Sequence, residues 1–146
     1  QRQMCIRDSF LDQAHHNPQA LVCGYPIYDQ TVPLSRLWGR ELTNFWVHVN
    51  TRSKALRDAM CGFRVYPLAQ TLPVLPSVKT RRMDFDPDIV VRLIWAGVTV
   101  INRPVRVTYP KDGISHFRGF SDNMRISRLH AGHFCTMLLR RMGLAK

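Results

Sequence analysis

Three segments of the chain place ionisable side chains next to apolar and turn-forming residues. The first, Asp58–Pro67, contains a carboxylate, a glycine and an arginine, and the second, Met83–Asp88, contains three carboxylates. The third, Tyr109–Phe117, is a glycine-containing loop with a lysine, a serine and a histidine, which suit the binding of an anion. Carboxylates can take a proton from a hydroxyl, and cations can stabilise a departing phosphate. The three segments together are therefore typical of a transferase.

In this order, the three segments resemble the second half of the catalytic domain of bacterial family 2 glycosyltransferases, especially the polyprenyl-phosphate and dolichol-phosphate sugar transferases. The family pattern has an Asp-x-x-x-Gly-Phe-Arg-like segment, then an aromatic residue followed by acids at a helix start, then a Gly-x-Ser-Lys/His loop. The resemblance spans roughly residues 10–120 and depends on the ordered set of motifs. It implies the C-terminal portion of a GT-A, Rossmann-like glycosyltransferase domain.

The resemblance implies a general base among the acids of the second segment. Asp88 is the first choice, because an acid near the start of this helix faces the acceptor in the family, although glutamate is usual there. Asp86 or Asp84 are the alternatives. A structural role is also open, since acids near a helix start are favoured by the helix dipole and by capping, so Asp84 or Asp86 could serve only as a cap.

The resemblance also implies a loop that closes over the donor diphosphate. The family's loop has a cation, then a serine, then a second cation. In this sequence the first cation is Lys111, or Arg106 in its place, the serine is Ser115 and the second cation is His116. A cation there would stabilise the charge that develops on the leaving diphosphate. The alternative is an ordinary turn at the adjacent Asp-Gly pair, with a solvated lysine.

Three further charged residues are assigned to the site. Arg64 can bind a phosphate bidentately or form an internal ion pair with Asp58, and the internal pair is the favoured interpretation. Asp58 and Asp29 are predicted on the acceptor side, the latter in a loop that follows a strand.

Part of the family's domain has no counterpart in this sequence. The family places its nucleotide-binding βαβ units and its metal-binding Asp-x-Asp motif in the first half of the domain, and neither occurs upstream of Asp58. The resemblance therefore implies a truncated domain whose divalent metal, Mg²⁺ or Mn²⁺, is ligated mainly by the missing N-terminal half. Met4–Ser9 resembles the translation of a sequencing-library transposon adapter, so residues 1–9 are predicted to be non-native or disordered. The alternative is a genuine, exposed N-terminal segment.

Charge and composition narrow the class of partner. The chain has 21 Lys and Arg against 10 Asp and Glu, a formal net charge of +11, and 45% hydrophobic residues. Such a charge indicates an anionic partner. Nucleic acid is excluded, because the cations are scattered among apolar runs and no nucleic-acid-binding motif occurs. A phosphate-bearing substrate and an anionic membrane surface remain. No apolar run approaches ~18 residues, so no membrane span is predicted.

Cysteine and histidine spacing does not predict a metal site within the chain. The cysteines are far apart and form no Cys-x-x-Cys motif, so those beyond residue 9 are predicted to be reduced, buried thiols of a cytoplasmic protein. His130 and His133 lie one helical turn apart, but no acidic or cysteine partner is near in sequence. They are therefore predicted to be a pair on a helix surface.

The hydrophobic pattern predicts helices alternating with short strands, which argues for an α/β layered domain. The predicted helices are Phe10–His16 (the tail of a helix), Arg36–Asn50, Pro87–Trp95 (ended by Gly97) and Gly119–Arg141; the predicted strands are Ala20–Tyr25, Val98–Asn102 and Val105–Tyr109. We divide the chain into residues 1–9, a partial catalytic domain at residues 10–118, and a basic amphipathic C-terminal helix within residues 119–146. That helix has an apolar face of five residues, Phe120, Met124, Leu129, Phe134 and Leu138.

The function expected from the resemblance is transfer of a sugar, with inversion, from a nucleotide-sugar to a lipid or cell-envelope glycan acceptor. The protein is expected in the cytoplasm, peripherally on the inner membrane. The alternative is a non-catalytic peripheral module that binds an anionic membrane surface through the basic C-terminal helix. Unless it binds a membrane, this helix is expected to pack on the rest of the domain, and we take packing as the default interpretation.

Overall fold

The computed structural model describes residues 2–28, 32, 34–107 and 119–144, which form a mixed α/β fold. The strands are β1 (Leu21–Tyr28), β2 (Arg64–Val65) and β3 (Val100–Val107). The helices are α1 (Arg2–His16), α2 (Leu34–Thr51), α3 (Leu68–Thr71), α4 (Phe85–Trp95) and α5 (Gly119–Arg141). A 3₁₀ turn, Leu75–Ser77, follows α3. The predicted α/β class is confirmed.

Strand β1 is the centre of the three-stranded sheet, whose order is β2-β1-β3. It pairs antiparallel with the short β2 and parallel with β3 along its whole length. The apolar run at its start is buried, as expected for a central strand. The prediction of two separate β segments between residues 98 and 109 is wrong, because β3 is continuous through Pro104. Proline lacks the backbone N–H and is tolerated on an edge strand, which is the place of β3 among the described strands.

Helix α4 provides the largest contribution to the apolar core. Pro87 lies in its first turn and Gly97, with a φ of 83°, follows its end, so both predicted boundary signals are confirmed. The buried apolar residues of α4 are Ile89, Val90, Val91 and Leu93. They share the core with side chains of β1, α2 and the segment that follows α2, namely Leu21, Cys23, Val47, Leu56 and Ala59.

The remaining helices pack around this core. Helix α2 contacts both α4 and α5, and α1 contacts β1 and β2, with the Phe10 ring edge-on to Phe63 at 4.7 Å between centroids. Helix α1 begins at Arg2, so residues 2–9 form its first part, and Ser9 Oγ accepts a 2.7 Å hydrogen bond from Arg103 Nη2. No helix among the described residues is long and apolar enough to cross a bilayer.

Candidate functional site

The first and second sequence segments meet where β2 lies beside the first turn of α4. The side chain of Arg64 is fully buried there. Its Nη1 donates to the carboxylate Oδ1 and to the main-chain oxygen of Asp86, each at 3.1 Å, and its Nη2 donates to the Ala59 oxygen at 2.7 Å. Arg64 therefore forms an internal ion pair, as expected, but with Asp86. The predicted partner, Asp58, is wrong.

Asp58 is bound by a different arginine. Its Oδ1 accepts a 2.6 Å hydrogen bond from Arg40 Nη1 on α2, and further bonds from the main-chain N–H groups of Met60 and Cys61 at 2.9 and 2.7 Å. The side chain is almost completely buried. Asp58 thus fixes the segment before β2 against α2, and this enclosed carboxylate does not face solvent where an acceptor could reach it.

Asp88, the first choice for a general base, lies inside the protein. Its Oδ1 accepts hydrogen bonds from Arg92 Nε at 2.6 Å and from His133 Nε2 at 2.9 Å, while Oδ2 accepts one from Thr80 Oγ1 at 2.9 Å. Burial alone would raise the pKa of Asp88, but the hydrogen bonds from His133 and Arg92 outweigh it and hold that pKa below its ordinary value. In this structure the Asp88 carboxylate is therefore buried and bonded to three protein side chains, so an acceptor hydroxyl could reach it only after a rearrangement.

The other two acids of the segment differ in their access to solvent. Asp84 occupies the N-cap position of α4, yet it makes no side-chain capping bond and instead accepts from the Arg82 N–H at 3.2 Å. It is buried, whereas the Asp86 side chain is 34% exposed. Burial raises the pKa of Asp86, and the adjacent Arg64 guanidinium opposes that rise. Among the three acids, Asp86 combines access to solvent with a raised pKa.

The histidines of α5 are buried, so their predicted place on a helix surface is wrong. His130 stacks on the Trp46 ring and its Nδ1 lies 3.4 Å from Asn50 Nδ2, while His133 binds Asp88. Burial lowers the pKa of His130 to about 4, and the neighbouring His133 adds to this effect. Within the described part of the chain, no group of three or more His, Cys, Asp or Glu side chains could hold a metal ion.

The cysteine prediction is confirmed for two residues. Cys23 and Cys61 are buried, and burial raises the pKa of the Cys23 thiol to about 12 and that of Cys61 above its ordinary value. Cys135 is exposed on α5, so its predicted burial is wrong. All four thiols are free.

Four predicted site residues, Asp29, Lys111, Ser115 and His116, lie outside the described residues. Their roles therefore stay predictions. A surface depression of about 550 Å³ runs along the second half of α2, lined in part by Glu41, Phe45 and His48, and no predicted site residue lines it.

The partners that hold the acids were not predicted from sequence. The four-residue spacing of Asp88 and Arg92 is a recognisable signal for a helical ion pair. Arg40 lies 18 residues from Asp58 and His133 lies 45 residues from Asp88, and no pattern in the sequence connects them.

Compared with known proteins, the chain matches no protein-family model, no curated protein and no solved structure.

Proposed function

We propose that the chain is the C-terminal part of a GT-A-type catalytic domain of a family 2 glycosyltransferase. The observation that supports this most is the contact between Arg64 and Asp86, because it brings together two of the three motif segments that carry the resemblance. The substrates would be a nucleotide-sugar and the hydroxyl or phosphate of a lipid or cell-envelope glycan. The protein would act in the cytoplasm, peripherally on the inner membrane.

In this proposal Asp86, rather than Asp88, is the general base. An inverting transfer needs one carboxylate that takes the proton of the acceptor hydroxyl while the oxygen of that hydroxyl attacks the anomeric carbon. Asp86 is partly exposed and its pKa is raised by burial, which favours proton uptake, whereas Asp88 is buried and its pKa is lowered despite that burial. Arg64 would hold the Asp86 carboxylate in position from beneath.

The leaving diphosphate would be held by the loop that contains Lys111, Ser115 and His116. A divalent cation would supply further neutralisation of that diphosphate. The described residues do not fit such a cation, since they offer no group of three potential ligands. In this proposal its ligands would come mainly from an N-terminal half of the domain outside this chain, and no step of the mechanism proposed for this chain depends on the metal.

The test uses the protein encoded by the complete reading frame that contains this chain. Release of nucleotide from a panel of nucleotide-sugars is measured for the wild type, Asp86→Asn, Asp88→Asn and the control Asp12→Asn, whose carboxylate is exposed on α1. We expect Asp86→Asn to lower kcat by at least about 100-fold in the fraction of protein that remains folded, since a general base contributes about that much, and to lower the thermal midpoint as well, because it leaves the buried Arg64 without its carboxylate. Asp88→Asn should lower the thermal midpoint.

Two results would reject the proposal. Folded wild-type protein that turns over no donor would remove the transferase assignment. Turnover that is unaffected by Asp86→Asn but abolished by Asp88→Asn, at wild-type stability, would return the base to Asp88.

A further inference from the structure

Helix α5 turns a polar face towards the protein. Its buried residues are Asp122, Ile126, His130 and His133, of which three are polar. His133 binds Asp88, and Asp122 forms a 3.6 Å ion pair with Arg82. Because polar groups occupy most of the inward face, several apolar side chains of α5 are exposed, although Ile126 is buried. The helix packs on α2, as the default interpretation expects, but four residues of its predicted apolar face are exposed, namely Phe120, Met124, Phe134 and Leu138.

The exposed apolar residues of α5 continue onto α2. On α2, Leu34, Trp38, Leu42 and Phe45 are spaced by four, four and three residues and so share one helix face. Trp38 is 78% exposed, Leu42 is 61% exposed and Phe45 is 56% exposed. Such a row of large apolar side chains is unusual on the surface of a protein that has no partner there.

Trp46 connects the two helices. Its ring lies 5.7 Å from that of Phe45 and 6.3 Å from that of Phe134 on α5. From Phe134 the exposed apolar row continues through Leu138 and Met142 at helical spacing. We call this surface the apolar ridge; it comprises Leu34, Trp38, Leu42, Phe45, Phe134 and Leu138.

Exposed cations border the apolar ridge. Helical spacing places Arg128 and Arg141 on opposite sides of the row formed by Phe134 and Leu138, and both arginines are exposed. Arg52 and Lys54 are exposed just beyond the end of α2. The chain as a whole carries a formal charge of +11.

We propose that the apolar ridge docks on an anionic lipid bilayer, with α2 and α5 lying in the plane of the interface. A helical surface with large apolar and aromatic side chains at its centre and arginines at its margins has the composition of an interfacial binder. Anionic headgroups complement the arginines, and each such cation near the surface strengthens binding. Docking of a second copy of the chain on the ridge is less favourable, because two molecules of high positive charge repel one another.

This inference depends only on α2 and α5 and does not rest on the transferase proposal. Docking through the apolar ridge adds helix α2 to the surface that the sequence pattern predicted on the C-terminal helix. It also defines which residues enter the lipid, Trp38 among them.

The experiment measures binding of the purified protein to vesicles by co-sedimentation. The vesicles contain either phosphatidylcholine alone or phosphatidylcholine mixed with phosphatidylglycerol. The variants are Trp38→Ser and Leu42→Ser, with Leu68→Ser as the matched control, because Leu68 on α3 is equally exposed at 68% but lies outside the apolar ridge. Size-exclusion chromatography with light scattering reports the oligomeric state of each protein.

We expect the wild type to bind the anionic vesicles, and Trp38→Ser and Leu42→Ser each to weaken that binding by about tenfold, since each removes a side chain that lipid would bury. Leu68→Ser should bind as the wild type does. Replacing Arg128 and Arg141 together by glutamine should weaken binding to anionic vesicles by at least about fivefold and make that binding less dependent on salt. Quenching of tryptophan fluorescence by brominated lipid should fall in Trp38→Phe.

Three results would overturn the inference. The first is a folded wild type that does not bind anionic vesicles, and the second is a Leu68→Ser variant that loses binding as much as the ridge variants do. The third is a stable dimer that Trp38→Ser dissociates, which would assign the ridge to a second copy. Retained vesicle binding without any sugar transfer would reject the transferase proposal alone.

Discussion

The Arg64 guanidinium lies 3.1 Å from the Asp86 carboxylate and joins the edge of the sheet to the first turn of α4. Arg64 is fully buried, while Asp86 is only partly buried, so the pair presents a carboxylate outwards and keeps its counter-charge inside. The arginine also satisfies the main-chain oxygens of Ala59 and Asp86. The pair therefore has a structural role whatever chemistry Asp86 performs.

The first prediction concerns this pair. Arg64→Met should lower the free energy of unfolding by about 3 kcal/mol, because it leaves a partly buried carboxylate and two main-chain oxygens without their donor. Urea unfolding followed by circular dichroism measures the change. Arg128→Met, which removes an exposed arginine, should change the same free energy by less than about 0.5 kcal/mol. Equal losses in the two variants would show that the buried pair contributes nothing specific.

The second prediction concerns the coupling between Asp88 and His133. Because His133 Nε2 donates to Asp88 Oδ1 at 2.9 Å inside the protein, Asp88→Asn and His133→Gln should not be additive. A double-mutant cycle of unfolding free energies should give a coupling of about 1–3 kcal/mol. Additive effects would mean that the contact between α4 and α5 is energetically unimportant. The pair Asp12→Asn on α1 and Arg128→Met on α5, both at exposed positions of different helices, provides the additive control.

Local signals in the sequence predicted most of the fold. The boundaries of α4 follow from Pro87 and Gly97, and α2 and α5 follow from their hydrophobic spacing, because these signals act within a few residues. The interruption expected between Val98–Asn102 and Val105–Tyr109 did not occur, since the missing N–H of Pro104 costs little on an edge strand.

The candidate site was predictable only in part. The sequence selected Asp58, Arg64 and Asp86 as candidate site residues, yet it could not identify their partners, because an ion pair across 18 or 22 residues depends on tertiary packing. The inward face of α5 was also misassigned, since hydrophobic periodicity assumes that apolar side chains point inwards. In α5 the buried positions are mainly polar because they bind Asp88, Arg82 and Asn50.

The third prediction concerns stability in acid. Burial lowers the pKa of His130 from 6.5 in the unfolded chain to about 4 in the folded protein. Between these two pH values the unfolded chain therefore carries a proton on this residue and the folded protein does not. Stability should therefore fall as the pH falls from 6.5 to about 4. His130→Gln should make this decline shallower, by up to about 1.4 kcal/mol per pH unit.

Unfolding by urea at a series of pH values measures this slope. His15→Gln, which replaces an exposed histidine on α1, is the matched control and should leave the slope unchanged. An identical slope for the wild type and His130→Gln would show that folding does not lower the pKa of His130.

The fourth prediction compares two glycines. A Cβ at Gly24, in the central strand, would lie 2.9 Å from Val105 Cγ2 and 3.0 Å from both Cys61 Sγ and the Phe63 oxygen. Phe63 O accepts the Gly24 N–H at 2.9 Å, so it cannot withdraw without loss of that hydrogen bond. Gly24→Ala should therefore destabilise the protein by about 1–3 kcal/mol.

Gly39, inside α2, has nothing within 4 Å of a new Cβ, and Gly39→Ala should stabilise the protein by about 0.5–1 kcal/mol through helix propensity. Thermal and urea unfolding should thus show opposite shifts, and a Gly24→Ala protein as stable as the wild type would contradict the close approach of β1, β2 and β3.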